Sequence, residues 1–193
     1  MANTASNVST GKPKVTGGIW RAPKGTTLPT DATTALDTTK FVCLGFVSEE
    51  GVTNSQNMDV SAIKAWGGVI VYRSLNELGD EFKFALIETE NADVLKAVYG
   101  TGNVTVDGSG NIDVTVKADD PEEAVWVIEL ALRGGIPRRI VIPDAAITAR
   151  DDIVYNDADA IAHGITLSAY PFADSPYNGG THKEYTAGSA PSI

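Results

Sequence analysis

"DEFKFALIETENADVLKAVYG", residues 80–100, runs an alternating strand directly into a capped helix and sets the frame for the rest of the chain. In its first half Phe82, Phe84 and Leu86 fall at every second position with Glu81, Lys83 and Ala85 between them, the period of a half-buried strand. The second half changes period. Thr89 or Asn91 supplies an N-cap, Glu90 and Asp93 suit the positive end of a helix dipole, and Gly100 suits the residue just past the last turn. Val94, Leu95 and Val98 form one apolar stripe with Tyr99 at its margin, so the helix expected over 89–99 is a cover for a sheet. It holds no His, no Cys and no arrangement of carboxylates that supports chemistry.

Working outward, the chain is almost entirely strand-like. "NVTVDGSGNIDVTVKA" (103–118) is the clearest hairpin, with Val104 and Val106 opposite Ile112, Val114 and Val116 across a Gly-rich turn. "EAVWVIELALRG" (123–134) sets Trp126, Ile128, Leu130 and Leu132 on one side and the charges Glu129 and Arg133 on the other. "KFVCLGFVSEE" (40–50) is a nearly continuous apolar run, as in a strand covered on both faces. "VSAIKAW" (60–66) and "VIVYRSL" (69–75) flank Gly67–Gly68, and "RRIVIPDA", "DDIVYND" and "AIAHGITLSAYP" read as further short strands. Many short strands with turns rich in Gly, Pro, Asp and Asn predict a mainly β fold of two packed antiparallel sheets, a sandwich or barrel, flanked by the one helix. The domain is expected over 41–170. Residues 1–40, poor in large apolar residues apart from Ile19, Trp20, Leu28 and Leu36, read as an extended N-terminal arm partly docked through Ile19 and Trp20. Residues 171–193 read as a C-terminal arm.

Charge narrows the functional classes. The formal charge of the 193 residues is −10, with five basic and two acidic residues in 1–40 and ten basic and twenty-three acidic residues in the remainder. A body this acidic does not grip phosphate backbones, because that needs clustered Lys and Arg. No apolar run approaches the length of a membrane span, and the N-terminus has no apolar signal region, so a protein finished in the cytoplasm is expected. Cys43 is the only cysteine, which excludes an intrachain disulfide and makes a small buried hydrophobe of it.

The candidate chemical motifs are weak. "DGSGN" (107–111) has the start of a calcium loop but lacks its later ligands, and turn chemistry explains it better. Asp151, Asp152, Asp157 and Asp159 read as solvated loop carboxylates before they read as a cation site. The Gly pairs do not join a strand to a helix at phosphate-loop spacing. Trp20, Trp66 and Trp126 could make a sugar platform only if two of them were coplanar, and Trp126 alternates like a core residue. No nucleophile–base set stands out, so no enzyme and no cofactor are expected.

Four stretches in order, "APKGTTLPTDATTALD" (22–37), "FVCLGFVSEEGVT" (41–53), "IKAWGG" (63–68) and "FKFALIETENADVLKAVYG" (82–100), resemble the tail tube (major tail) proteins of long-tailed phages, especially those infecting actinobacteria. Val69 departs from the resemblance, which implies a polar residue there. The resemblance implies six copies per ring and rings stacked into a hollow tube that conducts DNA into the host. It also implies a tape measure protein, a tail terminator and distal tail proteins as partners, assembly in the host cytoplasm and a place in the virion tail. Under it, "SEEGVTNSQNMDVSAIKAW" (48–66) becomes the inter-ring loop or hairpin, with Trp66 anchoring its base. Trp20, Glu49, Glu50, Asn54, Met58, Trp66 and Tyr72 become self-assembly candidates, and Glu129 and Arg133 candidates for the lumen or an intersubunit surface. The competing readings are a single-ring tail component and a carbohydrate-binding or adhesive β-sandwich.

Overall fold

The computed structural model describes residues 5, 8–14 and 17–188. The parts of the expected arms at 1–4, 6, 7, 15, 16 and 189–193 lie outside the described residues. In chain order the strands are β1 (Gly11–Pro13), β2 (Ile19–Pro23), β3 (Val42–Cys43), β4 (Thr53–Lys64) and β5 (Ile70–Leu86). Helix α1 (Ala92–Tyr99) follows, then β6 (Val104–Val106), β7 (Ile112–Val114), β8 (Ala124–Leu132), β9 (Pro137–Arg150), β10 (His163–Ala169) and β11 (Lys183–Thr186). They form two antiparallel sheets of unequal size. The larger runs β3-β2-β8-β9-β10-β5-β4, with β1 on the far end of β8 and β11 on the first half of β9; the smaller is the β6–β7 hairpin.

The larger sheet curls over its own core. Strands β5 and β8 are separated in the sheet by β9 and β10, yet the Phe84 and Trp126 rings meet edge-on with centroids 6.2 Å apart. Phe82, Phe84 and Leu86 of β5, Ile165 and Leu167 of β10, Ile140 and Ile142 of β9 and Trp126 and Ile128 of β8 all bury their side chains in this interior. Helix α1 closes it with Val94, Ala97 and Val98. The Asn91 side chain accepts the Asp93 N–H as the cap, and the Gly100 N–H, at positive φ, closes the last turn on the Lys96 carbonyl. The helix is thus the expected lid, beginning three residues later than the expected span.

The opposite face of β8 and β9 is covered too, so both faces of these strands carry buried apolar residues, where alternation alone predicts one charged, exposed side for 123–134. Val125, Val127 and Val141 pack there with Trp20, Ala22, Phe41 and Tyr177. This corrects the expected arms. From Ile19 onward the N-terminal segment belongs to the domain, because β2 pairs with β8 and places Ile19 in the first core and Trp20 in the second. From the C-terminal segment, Tyr177 enters the second core and β11 pairs with β9.

Glu129 is a second correction. It is 3% exposed and lies opposite Arg139, itself 1% exposed, so it cannot line a lumen. Arg139 Nε donates to Glu129 at 3.1 Å, its two terminal nitrogens donate to the carbonyls of Asp31 and Thr34 at 2.7 and 2.8 Å, and Lys14 Nζ reaches Glu129 at 3.2 Å. The network clamps the 31–34 loop onto the sheet. Two strand expectations also shorten. The run 40–50 yields only β3 and an isolated bridge at Val47, because Gly45 takes a left-handed turn against the Glu88 carboxylate, where a Cβ would collide. "DDIVYND" is a loop, in which the Asn156 side chain accepts the N–H groups of Ala158 and Asp159.

Candidate self-assembly surface

Strands β4 and β5 make a hairpin that outgrows the body. Pairing of β5 with β10 ends at Asp80–Ala169, while pairing with β4 continues to Lys64–Ile70. At about 3.3 Å per residue, the part of β5 beyond Asp80 projects roughly 30 Å. The hairpin is therefore larger than the expected 48–66 segment, and its second strand is half of it. At the turn, Gly67 and Gly68 adopt φ of 99° and 90°, and Ala65 N–H donates to the Val69 carbonyl at 2.8 Å. Trp66 sits at this tip with its side chain fully exposed, not at the base.

The two faces of the hairpin differ. Met58 opposes Leu78 and Val60 opposes Leu75 on the side that carries Phe82 nearer the body, and Lys64 opposes Ile70 further out. Met58, Val60, Ile70, Leu75 and Leu78 are all exposed. The other side is polar over Asp59, Glu77, Ser61 and Ser74, where Asn76 donates to Asp59 Oδ2 at 3.0 Å; Ile63 and Tyr72 make it apolar only near the tip. An exposed apolar stripe on a two-stranded ribbon is far from the scattered single hydrophobics of an ordinary surface.

At the root, the Asp80 side chain is fully buried. Its Oδ1 accepts from Asn54 at 2.7 Å, and its Oδ2 from Thr181 at 2.5 Å and from His182 Nδ1 at 2.6 Å, with the His182 nitrogen as donor. Burial alone would push this carboxyl up, but the hydrogen bonds from Thr181, Asn54 and His182 together with the His182 charge hold it below its ordinary value.

Of the expected assembly residues, the hairpin brings together Met58, Trp66 and Tyr72 as exposed side chains. Asn54 is held at the root by Asp80 and the Glu81 carbonyl, and Glu49 and Glu50 are exposed in the turn that leads into β4. Trp20 is excluded as a free contact, since it is buried in the second core with Nε1 donating to the Gly17 carbonyl at 3.3 Å. Arg133 is exposed in the turn between β8 and β9. Sequence reading missed Val60, Leu75, Leu78 and Asp80 as members of the site. Met58 and Val60 were discoverable by alternation. Leu75 and Leu78 were not, because a register shift at Asn76 puts residues three apart on one face.

Other candidate motifs are spent locally. Asp107 Oδ1 accepts the N–H groups of Ser109 and Asn111 at 2.8 and 2.9 Å, which is turn chemistry at the tip of β6–β7. No helix among the described residues is long and apolar enough to cross a membrane.

Two cores cover both sides of a curled sheet, and one long hairpin with an apolar stripe on one face projects from it. A family model described as phage tail tube protein matches residues 1–178, and the chain belongs to that family: it is a structural component of a phage tail. Among solved structures, the cap of the anti-feeding prophage, titled as its tube terminating cap, is similar at 11% identity and a TM-score of 0.47, covering 97% of this chain and 100% of that one. That likeness is too distant to bear on role. No curated protein matches the chain.

Proposed function

We propose that this chain polymerises with copies of itself, as stacked hexameric rings, into the hollow tube of the tail through which DNA passes into the host. The observation that carries the reading is the β4–β5 hairpin, whose face exposes a stripe of Met58, Val60, Leu75 and Leu78, with Arg73 and Lys64 on the same face nearer the tip. Burying such a stripe on a neighbouring subunit gains about 25 cal/mol per Å² of apolar surface removed from water, repeated at every subunit of a polymer. Trp66 and Tyr72 are the aromatic anchors near the tip, with Glu49 and Glu50 at the foot of the hairpin and Arg133 on a separate exposed turn. The outer edges of β4 and β3, which no strand among the described residues pairs, suit pairing with another copy, since an unpaired edge is a template for a further strand.

The net charge of −10 fits a conduit that does not hold a passing duplex. A tape measure protein, a terminator and distal tail proteins are the partners such a tube requires, and the host cytoplasm is where it is built. Chemistry of its own has no part in this role.

Electron microscopy of the purified chain tests the reading. Hollow tubes or long stacks of rings are expected. Single rings that never stack would instead make it a terminator or distal ring, and a persistent monomer that binds glycans would make it an adhesive module.

A further inference from the structure

Beyond Asp80 the hairpin pairs, among the described residues, with no strand but its own. Strand β10 ends opposite this residue, so β5 continues with β4 as its only partner, and an isolated two-stranded ribbon is marginal and free to twist. Beside its root lies a cleft of about 510 Å³, bounded by Glu77 and Leu78 on the hairpin, Ser168 of β10 and Tyr170 just after it, and Gly179 and Thr181 on the C-terminal segment. The ribbon therefore has room to swing. Besides the pairing of β5 with β10, which reaches Asp80–Ala169, its direction at this point is held by one buried carboxylate shared by three segments: Asp80 of β5, Asn54 of β4, and Thr181 and His182 of the segment that leads into β11. The His182 ring also stands edge-on to Phe82 with centroids 5.2 Å apart, which sets the imidazole against the same stretch of β5.

We propose that Asp80 is a latch by which the C-terminal segment sets the direction of the hairpin, so that a contact made or lost by residues 170–186 is transmitted to the hairpin tip. The segment has its own attachments elsewhere. Tyr177 is buried in the second core, Phe172 bridges Gly180, and Lys183–Thr186 pair with β9. The Thr181–His182 pair is thus the side-chain joint between a separately held segment and the point at which the ribbon leaves the sheet. Release of the two donors leaves Asp80 with Asn54 alone, which sits on β4 opposite Phe82 and ties the carboxylate to the root of the hairpin and not to the C-terminal segment. A small rotation at the root is a large displacement at Trp66, because the lever is roughly 30 Å long at about 3.3 Å per residue. The coupling is a property of the single subunit and stands whether or not the subunit forms tubes.

The test is a distance distribution between spin labels in the full chain, with Cys43→Ser and labels at Ala65→Cys near the tip and Glu90→Cys on the body. One narrow distribution is expected for the chain that keeps Thr181 and His182. The pair Thr181→Val with His182→Ala is expected to broaden it at least twofold and shift its mean. The pair Thr181→Ser with His182→Gln, which keeps both donors, is expected to leave it narrow. An unchanged distribution in the Val/Ala chain, with its melting transition intact, overturns the proposal, and so does equal broadening in the donor-keeping chain. Should the Val/Ala chain lose its cooperative melt, Thr181→Val alone is read in the same way, and an unchanged width in it is again fatal.

Discussion

At the scale of single residues, the most informative position is Glu129, a charge that alternation alone places on an exposed face. It is buried because the loop 24–41 folds back over the second side of the sheet, and that cover is encoded almost a hundred residues away. The available signal was the Arg at 139, which falls directly opposite once β8 and β9 are in register, but register is a product of the fold and not of either strand. Arg139→Ala is expected to destabilise the chain by about 3–5 kcal/mol, since it strands a buried carboxylate and two loop carbonyls, with Lys14 offsetting part of the loss. Replacing both partners by apolar residues of similar volume should cost far less; urea unfolding of the two chains compares them. His163 gives a pH prediction. It is buried at the end of β10 with its ring edge-on to Tyr99, and burial pushes its pKa below the ordinary 6.5. The unfolded chain therefore takes up a proton that the folded chain resists. Stability is full above the unfolded value and falls as pH drops from about 6.5 toward the folded one. Denaturation midpoints at neutral pH and at about pH 5.5 should differ more in the native chain than in His163→Leu, because every other group, His182 included, cancels in that comparison.

At the scale of elements, helix α1 and the β6–β7 hairpin were legible in the sequence because their signals are local: a cap at Asn91, a stripe at helical spacing and an Asx turn at Asp107. The long hairpin was legible only in part. Its two strands and the Gly67–Gly68 turn could be read, but the register shift at Asn76 hid the stripe, and Trp66 was placed at the wrong end for want of knowing where β5 leaves the body. The stripe makes a sharp prediction because it is exposed in the subunit. Leu75→Asp or Val60→Asp should change unfolding free energy by no more than about 0.5–1 kcal/mol, as for other substitutions at exposed sites away from a core. The same changes should abolish tubes in micrographs, since an aspartate would be buried without a partner wherever the stripe is covered. Asn91→Ala separates the two effects from the other side. It should lower stability by about 1 kcal/mol through the lost cap while leaving assembly intact at temperatures where the chain is folded.

At the scale of the whole molecule, a subunit of charge −10 that must meet identical copies faces a repulsion that its apolar hairpin has to overcome. Beyond Asp80 the hairpin carries Asp59, Lys64, Arg73 and Glu77, so the charges of its projecting part balance and the excess of acid sits elsewhere. Repulsion between bodies acts at long range and is screened over about 10 Å at 0.1 M salt, whereas burial of the stripe acts at contact and is not weakened by salt. Assembly followed by light scattering should therefore start sooner and at lower protein concentration in about 0.3 M sodium chloride than in about 0.02 M, by several-fold in lag time. The opposite order, tubes that form best at low salt, would mean that ion pairs and not the apolar face hold the copies together. The same charge governs the relation to DNA. Counterion release by clustered cations drives non-specific binding and strengthens as salt falls, so even at about 0.02 M salt a duplex should run unretarded in the presence of the assembled protein. Retardation that disappears at higher salt would place a basic surface on the assembly, and the reading of its wall as one that does not hold a duplex would then be wrong.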